Sequence, residues 1–202
     1  MSRLLTLFLA VAFLSSSAQN LGIGQWQDHL PYSEAINLVE INNIIFVATK
    51  YSLFSFDKES LMVNRISKTN GLSDVGISAM KKSPYSNLII ITYTNGNIDF
   101  FENGTIYNLP DIKRKSLVGE KRINDIYFSY KNQETAYLAC SFGVVELDIN
   151  AQEIKNTYHI NASQNLSINN LALFNDSLFA ATDSGIYSAS LKENLSDFRN
   201  WT

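Results

Sequence analysis

Short apolar runs, each followed by a polar turn and then by a second apolar run, recur four times along the chain. In three of the four pairs the first run ends in small residues, and the turn often contains glycine. The four pairs are 44–49 with 53–57, 88–93 with 98–101, 136–140 with 144–148, and 178–182 with 186–189. When Ser52, Gly96, Gly143 and Gly185 are taken as equivalent, successive copies are 44, 47 and 42 residues apart. The pattern therefore indicates four internal repeats.

The repeat length and the length of the runs together predict β-propeller blades. Repeats of about 40–50 residues are either helical pairs or four-stranded blades. Helical repeats need a 3.6-residue apolar period over about ten or more positions. These runs are shorter, rich in Ile, Val, Phe and Tyr, and separated by hairpin signals such as Asn103-Gly104. A further strand is predicted on each side of every pair, the last one weakly, from Ser196 onward. The sequence predicts an all-β fold, a β-propeller with blades near residues 33–66, 75–109, 121–159 and 166–202.

The number of blades follows from the length of the chain. From Gln19 to Thr202 there is room for about four blades. Closure with four blades is uncommon for this repeat type, so we expect about four blades of an incomplete ring, which would have seven blades when complete. The segment 200–202 echoes the segment 25–27 and is expected to open a fifth blade.

Residues 1–18 have the layout of a secretory signal peptide. Arg3 provides a positive start, residues 4–14 form an apolar run without charge, and Ser16 and Ala18 place small residues at the positions that a signal peptidase reads. The apolar run is too short for a membrane anchor, which needs about 20 residues. We predict cleavage after Ala18 and an exported domain, residues 19–202, with no transmembrane span.

Composition argues against several classes of function. The chain has 16 Lys and Arg against 19 Asp and Glu, a net charge of -3 that does not suit a nucleic-acid binder. One cysteine and two histidines cannot form a disulfide framework, and only their convergence could build a zinc site. Cys140 lies in an apolar run and is predicted to be buried, while His29 and His159 lack a second metal ligand at suitable spacing. We predict no catalytic, cofactor-binding or metal site.

One cluster of positive charge lies between the second and third repeats. It consists of Lys113, Arg114, Lys115, Lys121 and Arg122. The cluster could contact an anionic saccharide or an acidic partner through Coulombic attraction. It could equally be a solvated loop, because no aromatic residue interleaves the charges. Both interpretations stay open at this point.

Several segments resemble known propeller repeats. Residues 70–77, with a Gly-Leu-Ser turn, and residues 181–187 resemble the two-component-regulator type of repeat. Residues 23–32, 94–99 and 106–116 resemble the N-terminal propeller of the PorZ family, surface components of the Bacteroidetes type IX secretion system. This resemblance covers nearly all of residues 20–202. Family members are longer, with a second propeller and a C-terminal β-sandwich.

The resemblance implies a non-catalytic scaffold in the attachment complex at the outer-membrane surface. It also implies protein partners within that complex, and contact with anionic lipopolysaccharide. The alternative is the periplasmic ligand-sensing propeller of a hybrid two-component regulator, which binds glycan fragments. A propeller hydrolase or lyase, which would need acidic or His residues from several blades to meet over the channel, is disfavoured, because no Asp, Glu or His recurs at one position in all four repeats. Under either leading interpretation the chain is exported, to the periplasm or to the cell surface.

Ser177 is a candidate for modification. The sequence Asp176-Ser177-Leu178 matches the Asp-Ser/Thr-aliphatic pattern of O-glycosylation in Bacteroidetes. Asp and Ser are also favoured at tight turns, where this segment is predicted to lie. The pattern therefore marks Ser177 as an O-glycosylation candidate and also fits an ordinary turn.

Overall fold

A computed structural model of the chain describes residues 29–117, 119–162 and 166–202. Within these residues, fifteen strands form four antiparallel sheets, and each sheet is a meander of consecutive strands. The predicted signal peptide, residues 1–18, lies outside the described residues.

The four sheets, called blades 1 to 4, follow one another along the chain. Blade 1 contains β1 (Ala35–Ile41), β2 (Ile44–Thr49), β3 (Leu53–Asp57) and β4 (Val63–Ile66). Blade 2 contains β5 (Ile77–Lys82), β6 (Ile89–Tyr93), β7 (Ile98–Glu102) and β8 (Thr105–Leu109). A short helix, α1 (Asp111–Arg114), follows it. Blade 3 contains β9 (Ile123–Phe128), β10 (Thr135–Cys140), β11 (Gly143–Asp148) and β12 (Glu153–Tyr158). Blade 4 contains β13 (Ile168–Phe174), β14 (Ser177–Thr182) and β15 (Gly185–Ser190).

The blades pack in chain order around their first strands. Strand β1 contacts β5, β5 contacts β9, and β9 contacts β13, so the first strand of each blade is its inner strand. Each blade then runs outward through its second, third and fourth strands. This is the arrangement of a β-propeller. The predicted all-β fold, with about four blades of an incomplete propeller, is confirmed.

The core lies in three layers, one between each pair of neighbouring blades. Strand β6 shows why its sequence is continuously apolar rather than alternating. Ile89, Ile91 and Tyr93 face the layer shared with blade 1, whereas Ile90 faces the layer shared with blade 3. All four are completely buried. Burying one such side chain stabilises the fold by about 1.5–3 kcal/mol, so a middle strand covered on both faces contributes strongly.

Two glycines open the third strands of blades 3 and 4 in the same conformation. Gly143 has a φ of 140° and Gly185 a φ of 139°. L-residues rarely adopt such angles, so both tight turns favour glycine. The turns that the sequence placed at these two positions are present in the structure.

The end of the chain differs from the expectation of a fifth blade. Residues Phe198–Asn200 form a single turn of 3₁₀ helix. Thr202 then exchanges two main-chain hydrogen bonds with Ser188 of β15, of 2.8 and 3.0 Å. Residue 202 therefore lies at the outer edge of blade 4, in the place of a fourth strand. The expected outer strand from Ser196 onward is replaced by the helical turn and this one pairing.

Two tyrosine hydroxyls join neighbouring blades at one end of the propeller. The Tyr85 hydroxyl donates to the main-chain carbonyl of Ser129 at 3.1 Å, from blade 2 to blade 3. The Tyr130 hydroxyl donates to the carbonyl of Asn175 at 2.9 Å, from blade 3 to blade 4. We call these contacts tyrosine braces. Both donors lie in the connection between the first and second strands of their blade.

Candidate functional site

Strand direction divides the loops between two ends of the propeller. Because the strands of each blade are antiparallel, the segments that link one blade to the next lie at the same end as the turns between second and third strands. We call this end the linker face. The opposite end carries the turns between first and second strands and between third and fourth strands, and we call it the hairpin face. The cluster of five predicted cations lies on the linker face, because it follows β8 and precedes β9.

A buried carboxylate organises the linker face beside blade 2. Asp74, in the linker from blade 1, is only 4% exposed. Its carboxylate accepts hydrogen bonds from Lys113 at 2.6 Å and from Asn95 at 2.7 Å. Lys68 adds a longer contact, at 3.3 Å. A buried charge needs such partners, because an unpaired one would be strongly destabilising.

These donors set the ionisation of Asp74. Burial on its own would raise the pKa of this carboxyl group, since it disfavours the charged form. The hydrogen bonds from Lys113, from Asn95 and from the main-chain N–H of Val75 act in the opposite direction and outweigh burial. The pKa of Asp74 therefore lies well below its usual value. Asp74 is a fixed negative charge at neutral pH.

A second carboxylate, Asp99 of β7, binds the same linker through a main-chain hydrogen bond. Asp99 is completely buried and accepts from the Tyr93 hydroxyl at 2.6 Å, the Ser73 main-chain N–H at 2.9 Å and the Asn108 amide at 2.8 Å. Burial, followed by the charge of Asp99, raises the pKa of Tyr93 above its usual range. The residues preceding Asp74 are thus tied to the middle of blade 2. Sequence reasoning assigned no role to Asp74 or Asp99, although a lone Asp between Ile98 and Phe100 was a visible signal.

The five residues of the basic cluster differ in whether their side chains have partners in the described part of the chain. Lys113 is paired with Asp74. Lys121 donates to the carbonyl of Lys113 at 2.7 Å, and Arg122 donates to the Asn124 side chain at 3.1 Å. Arg114 and Lys115 are exposed, and within the described part of the chain they have no ion pair or side-chain hydrogen bond. The cations that an anionic partner could reach without breaking contacts are therefore Arg114 and Lys115.

Blade 3 contains a further buried carboxylate that the sequence did not single out. Glu146 is 7% exposed and accepts from the Tyr158 hydroxyl, from Asn156 at 2.9 Å and from Lys155 at 3.3 Å. Burial and the nearby charge of Glu146 raise the pKa of Tyr137 to about 12. Tyr137, Glu146, Asn156 and Tyr158 line a small pocket of about 280 Å³ against the loop that follows β15. The arrangement is a satisfied polar cluster on the side of the blade.

Ser177, the candidate for O-glycosylation, is the first residue of β14. It is half-buried and pairs with Phe174 and Ser190 in the sheet. The neighbouring Asp176 binds Lys131 at 2.8 Å and Lys192 at 2.9 Å. Hydrogen bonds from these two lysines lower the pKa of Asp176 to about 2. The pattern therefore lies at a turn on the hairpin face, with its Asp held by two cations.

The remaining residues considered for chemistry are Cys140, His29 and His159. Cys140 is completely buried, and burial raises the pKa of its thiol. Nδ1 of His159 lies 3.0 Å from the carbonyl oxygen of Phe142, and His29 lies near the start of the described region. Among the residues that the structure describes, no three His, Cys, Asp or Glu side chains come together as metal ligands. No helix in that part of the chain is long and apolar enough to cross a membrane.

Four meandering blades with their inner strands side by side define a β-propeller domain. The model of the PorZ N-terminal β-propeller domain of the type IX secretion system (TSS9) matches residues 45–202, and the chain belongs to this family. No curated protein matches the sequence.

Solved structures agree with this assignment. PorZ of Porphyromonas gingivalis, described as an essential bacterial surface component of the type IX secretion system, is 26% identical with a TM-score of 0.71. The similarity covers 84% of this chain and 22% of that one. The extracellular domain of the one-component system BT4673 from B. thetaiotaomicron is 16% identical (TM-score 0.65), over 88% of this chain and 23% of that one. The extracellular domain of the hybrid two-component system BT3049 from B. thetaiotaomicron is 15% identical (TM-score 0.65), over 87% of this chain and 25% of that one. The last two share the fold, and this chain spans about a quarter or less of each structure.

Proposed function

We propose that the chain is a non-catalytic interaction domain of the type IX secretion attachment complex, acting at the outer-membrane surface with protein partners. The observation that carries this proposal is the family match over residues 45–202. The similarity to a PorZ described as an essential surface component of that system supports it. Propellers suit such a role, because rigid sheets hold their connecting loops in place for recognition.

Gene deletion in the native bacterium tests the secretion role. We expect cells that lack the gene to lose surface attachment of secreted cargo, and the intact gene to restore it. Crosslinking of the full gene product on intact cells should recover other components of the apparatus. Normal attachment, together with a lost transcriptional response to glycans, would support the sensing function of a two-component regulator instead.

Export is part of the same proposal. Residues 1–18 act as a signal peptide, and the mature chain starts at Gln19. Arg3, the apolar run 4–14 and the small residues ending at Ala18 support this assignment. N-terminal sequencing of the protein from the cell envelope tests it. A chain that still begins with Met1 would contradict it.

We also propose that the domain performs no catalysis and needs no cofactor. The carboxylates that are buried among the described residues, Asp74, Asp99 and Glu146, accept hydrogen bonds from neighbouring side chains and, at Asp74 and Asp99, also from main-chain N–H groups. These groups stabilise loops and strands. Reproducible turnover that disappears when a single polar residue is replaced would overturn this proposal.

Contact with anionic lipopolysaccharide is proposed through the basic cluster on the linker face. Arg114 and Lys115 are its open members, and Lys121 and Arg122 are near them in sequence. Lys113 contributes less, because Asp74 neutralises its charge. Exposed cations attract an anionic polymer in a salt-dependent manner.

Ser177 is proposed as an O-glycosylated residue on the strength of the Asp176-Ser177-Leu178 pattern. The mass of the protein purified from its native host tests this assignment. We expect the added mass to be absent in Ser177→Ala. An unmodified wild-type protein would contradict the proposal.

A further inference from the structure

On the hairpin face, a tyrosine side chain joins the neighbouring blades at two of the three blade interfaces in the described residues, and no tyrosine does so at the third. Tyrosine braces join blade 2 to blade 3 and blade 3 to blade 4. The corresponding connection in blade 1 is the two-residue turn Asn42-Asn43, which carries no tyrosine. At this unbraced interface a groove of about 450 Å³ lies between blades 1 and 2. Its volume falls within the range of ligand sites, about 300–1,000 Å³.

The floor of the groove is apolar and mainly aliphatic. It is lined by Ile41, Ile44, Ile66 and Ile106, with Phe46 and Phe101 beneath. The two rings lie edge to face, with centroids 5.3 Å apart, and each residue is only 7% exposed. No flat ring face is therefore open for stacking against a sugar. An aliphatic side chain is the better occupant of such a floor.

The rim of the groove carries unpaired carboxamides. Asn42, Asn64, Asn87 and Asn103 are exposed and line it, and within the described residues none of their side chains has a hydrogen-bond partner. Asn42 and Asn103 have φ values of 54° and 50°, which Asn favours at turns. Asn64 has no such local reason, because it lies in β4 and strands disfavour Asn.

Charge and geometry indicate the kind of occupant. None of the residues that line the groove is ionisable. A carboxamide offers one N–H donor group beside one C=O acceptor, the same pair that a peptide unit offers. We propose that this groove binds an extended, uncharged peptide segment, whose aliphatic side chain enters the floor and whose main chain pairs with the Asn rim. The inference deepens the proposed function, and it depends on that function only for the source of the peptide, a protein partner.

A titration followed by NMR tests the groove directly. The probe is the blocked peptide acetyl-Thr-Leu-Thr-Val-Thr-amide, added to the ¹⁵N-labelled protein. We expect saturable shifts of the side-chain amide signals of Asn42, Asn64, Asn87 and Asn103. A peptide with Asp in place of each Thr should bind more weakly, because the groove has no cation to pair with it.

Two variants of β4 provide a matched pair. Asn64 faces the groove, whereas Val63, its neighbour in the strand, points to the opposite face of the sheet and is exposed. Asn64→Trp should fill the groove and weaken peptide binding about tenfold or more, a factor that corresponds to about 1.4 kcal/mol. Val63→Trp should leave the affinity unchanged.

Three results would overturn the inference. One is the absence of amide shifts with the peptide, and another is equal weakening by both Trp variants. The third is a response of the same signals to maltopentaose but not to the peptide, which would make the groove a saccharide site. None of these results bears on cargo attachment in the deletion strain, so this inference and the secretion role can fail separately.

Discussion

Nζ of Lys113 lies 2.6 Å from Oδ2 of Asp74, although 39 residues separate them in the chain. Asp74 belongs to the linker that enters blade 2, and Lys113 belongs to α1, which leaves it. The ion pair therefore joins the two ends of blade 2 on the linker face. It also explains why one member of the basic cluster contributes less to the attraction of an anionic partner.

Replacement of Asp74 should destabilise the protein. Asp74→Ala removes the shared acceptor of Lys113 and Asn95, and we expect a loss of about 1–3 kcal/mol in the free energy of unfolding. Lys68→Ala removes only a longer, partly exposed contact and should change stability by less than about 1 kcal/mol. Urea denaturation of both variants measures the difference. Equal stabilities of Asp74→Ala and the wild type would contradict the role given to this carboxylate.

The contribution of Asp74 should also depend on pH. Its pKa is lowered in the folded state, whereas an unfolded Asp titrates near about 3.9. The stabilisation is therefore complete above about pH 4 and decreases as the pH falls towards the folded pKa. We expect the stability difference between wild type and Asp74→Asn to shrink between about pH 4 and pH 2, as both are unfolded in urea. A difference that stays constant over this range would show that ionised Asp74 is not the cause.

Gly143 and Gly185 offer a comparison at equivalent positions. Their φ angles are nearly equal, but a Cβ on Gly143 would lie 2.3 Å from the carbonyl oxygen of Tyr158, whereas a Cβ on Gly185 meets no atom within 4 Å. Both Ala variants should be strained, by about 1–2 kcal/mol. Gly143→Ala should lower the free energy of unfolding by a further 1–3 kcal/mol, approximately, because the main chain at Tyr158 must move to make room for the Cβ. Thermal melts of the two variants measure the gap, and identical melting temperatures would exclude the steric contact.

Cys140 should react with thiol reagents only when the protein unfolds. The side chain is completely buried between blades 2 and 3, and burial raises the pKa of the thiol. The reactive thiolate is therefore scarce in the folded protein. Labelling with Ellman's reagent should be slow in buffer and rapid in urea, following the unfolding transition. Fast labelling of the native protein would show that this layer of the core opens readily.

Arg114 and Lys115 should carry anion binding on the linker face. The double variant Arg114→Ser, Lys115→Ser should bind anionic lipopolysaccharide several-fold more weakly at low salt, and the difference should fade as salt screens the charges. The control is Lys58→Ser with Lys192→Ser, which changes the net charge equally on the hairpin face. Equal losses in the two double variants would indicate attraction by overall charge alone.

The strands and turns that repeat from blade to blade were predictable because residues close together in the sequence determine them. The apolar runs placed the strands of each blade, and turns at Gly96, Gly143 and Gly185 fixed the spacing of the blades. Each of these features depends on residues a few positions apart. The repeat length, together with the shortness of the apolar runs, then favoured propeller blades over helical repeats.

The contacts between repeats were not predictable in the same way. Asp74 with Lys113, and Tyr85 with Ser129, join residues 39 and 44 positions apart. No periodicity in the sequence specifies such pairs, because they depend on how one blade is set beside the next. The groove between blades 1 and 2 was missed for the same reason, since it forms where residues of blade 1 lie beside residues of blade 2.

In the tyrosine braces, a substitution of the donor residue has a different effect from a substitution of the acceptor residue. Tyr85 and Tyr130 donate through side chains, but the acceptors on Ser129 and Asn175 are main-chain oxygens, which every amino acid possesses. An acceptor position can therefore change residue without losing the contact, as long as the backbone keeps its path. A donor position loses the contact with the hydroxyl, even in a change as small as Tyr to Phe. The two contacts therefore depend on the identity of the donor residues, Tyr85 and Tyr130, and not on the side chains of the two acceptor residues.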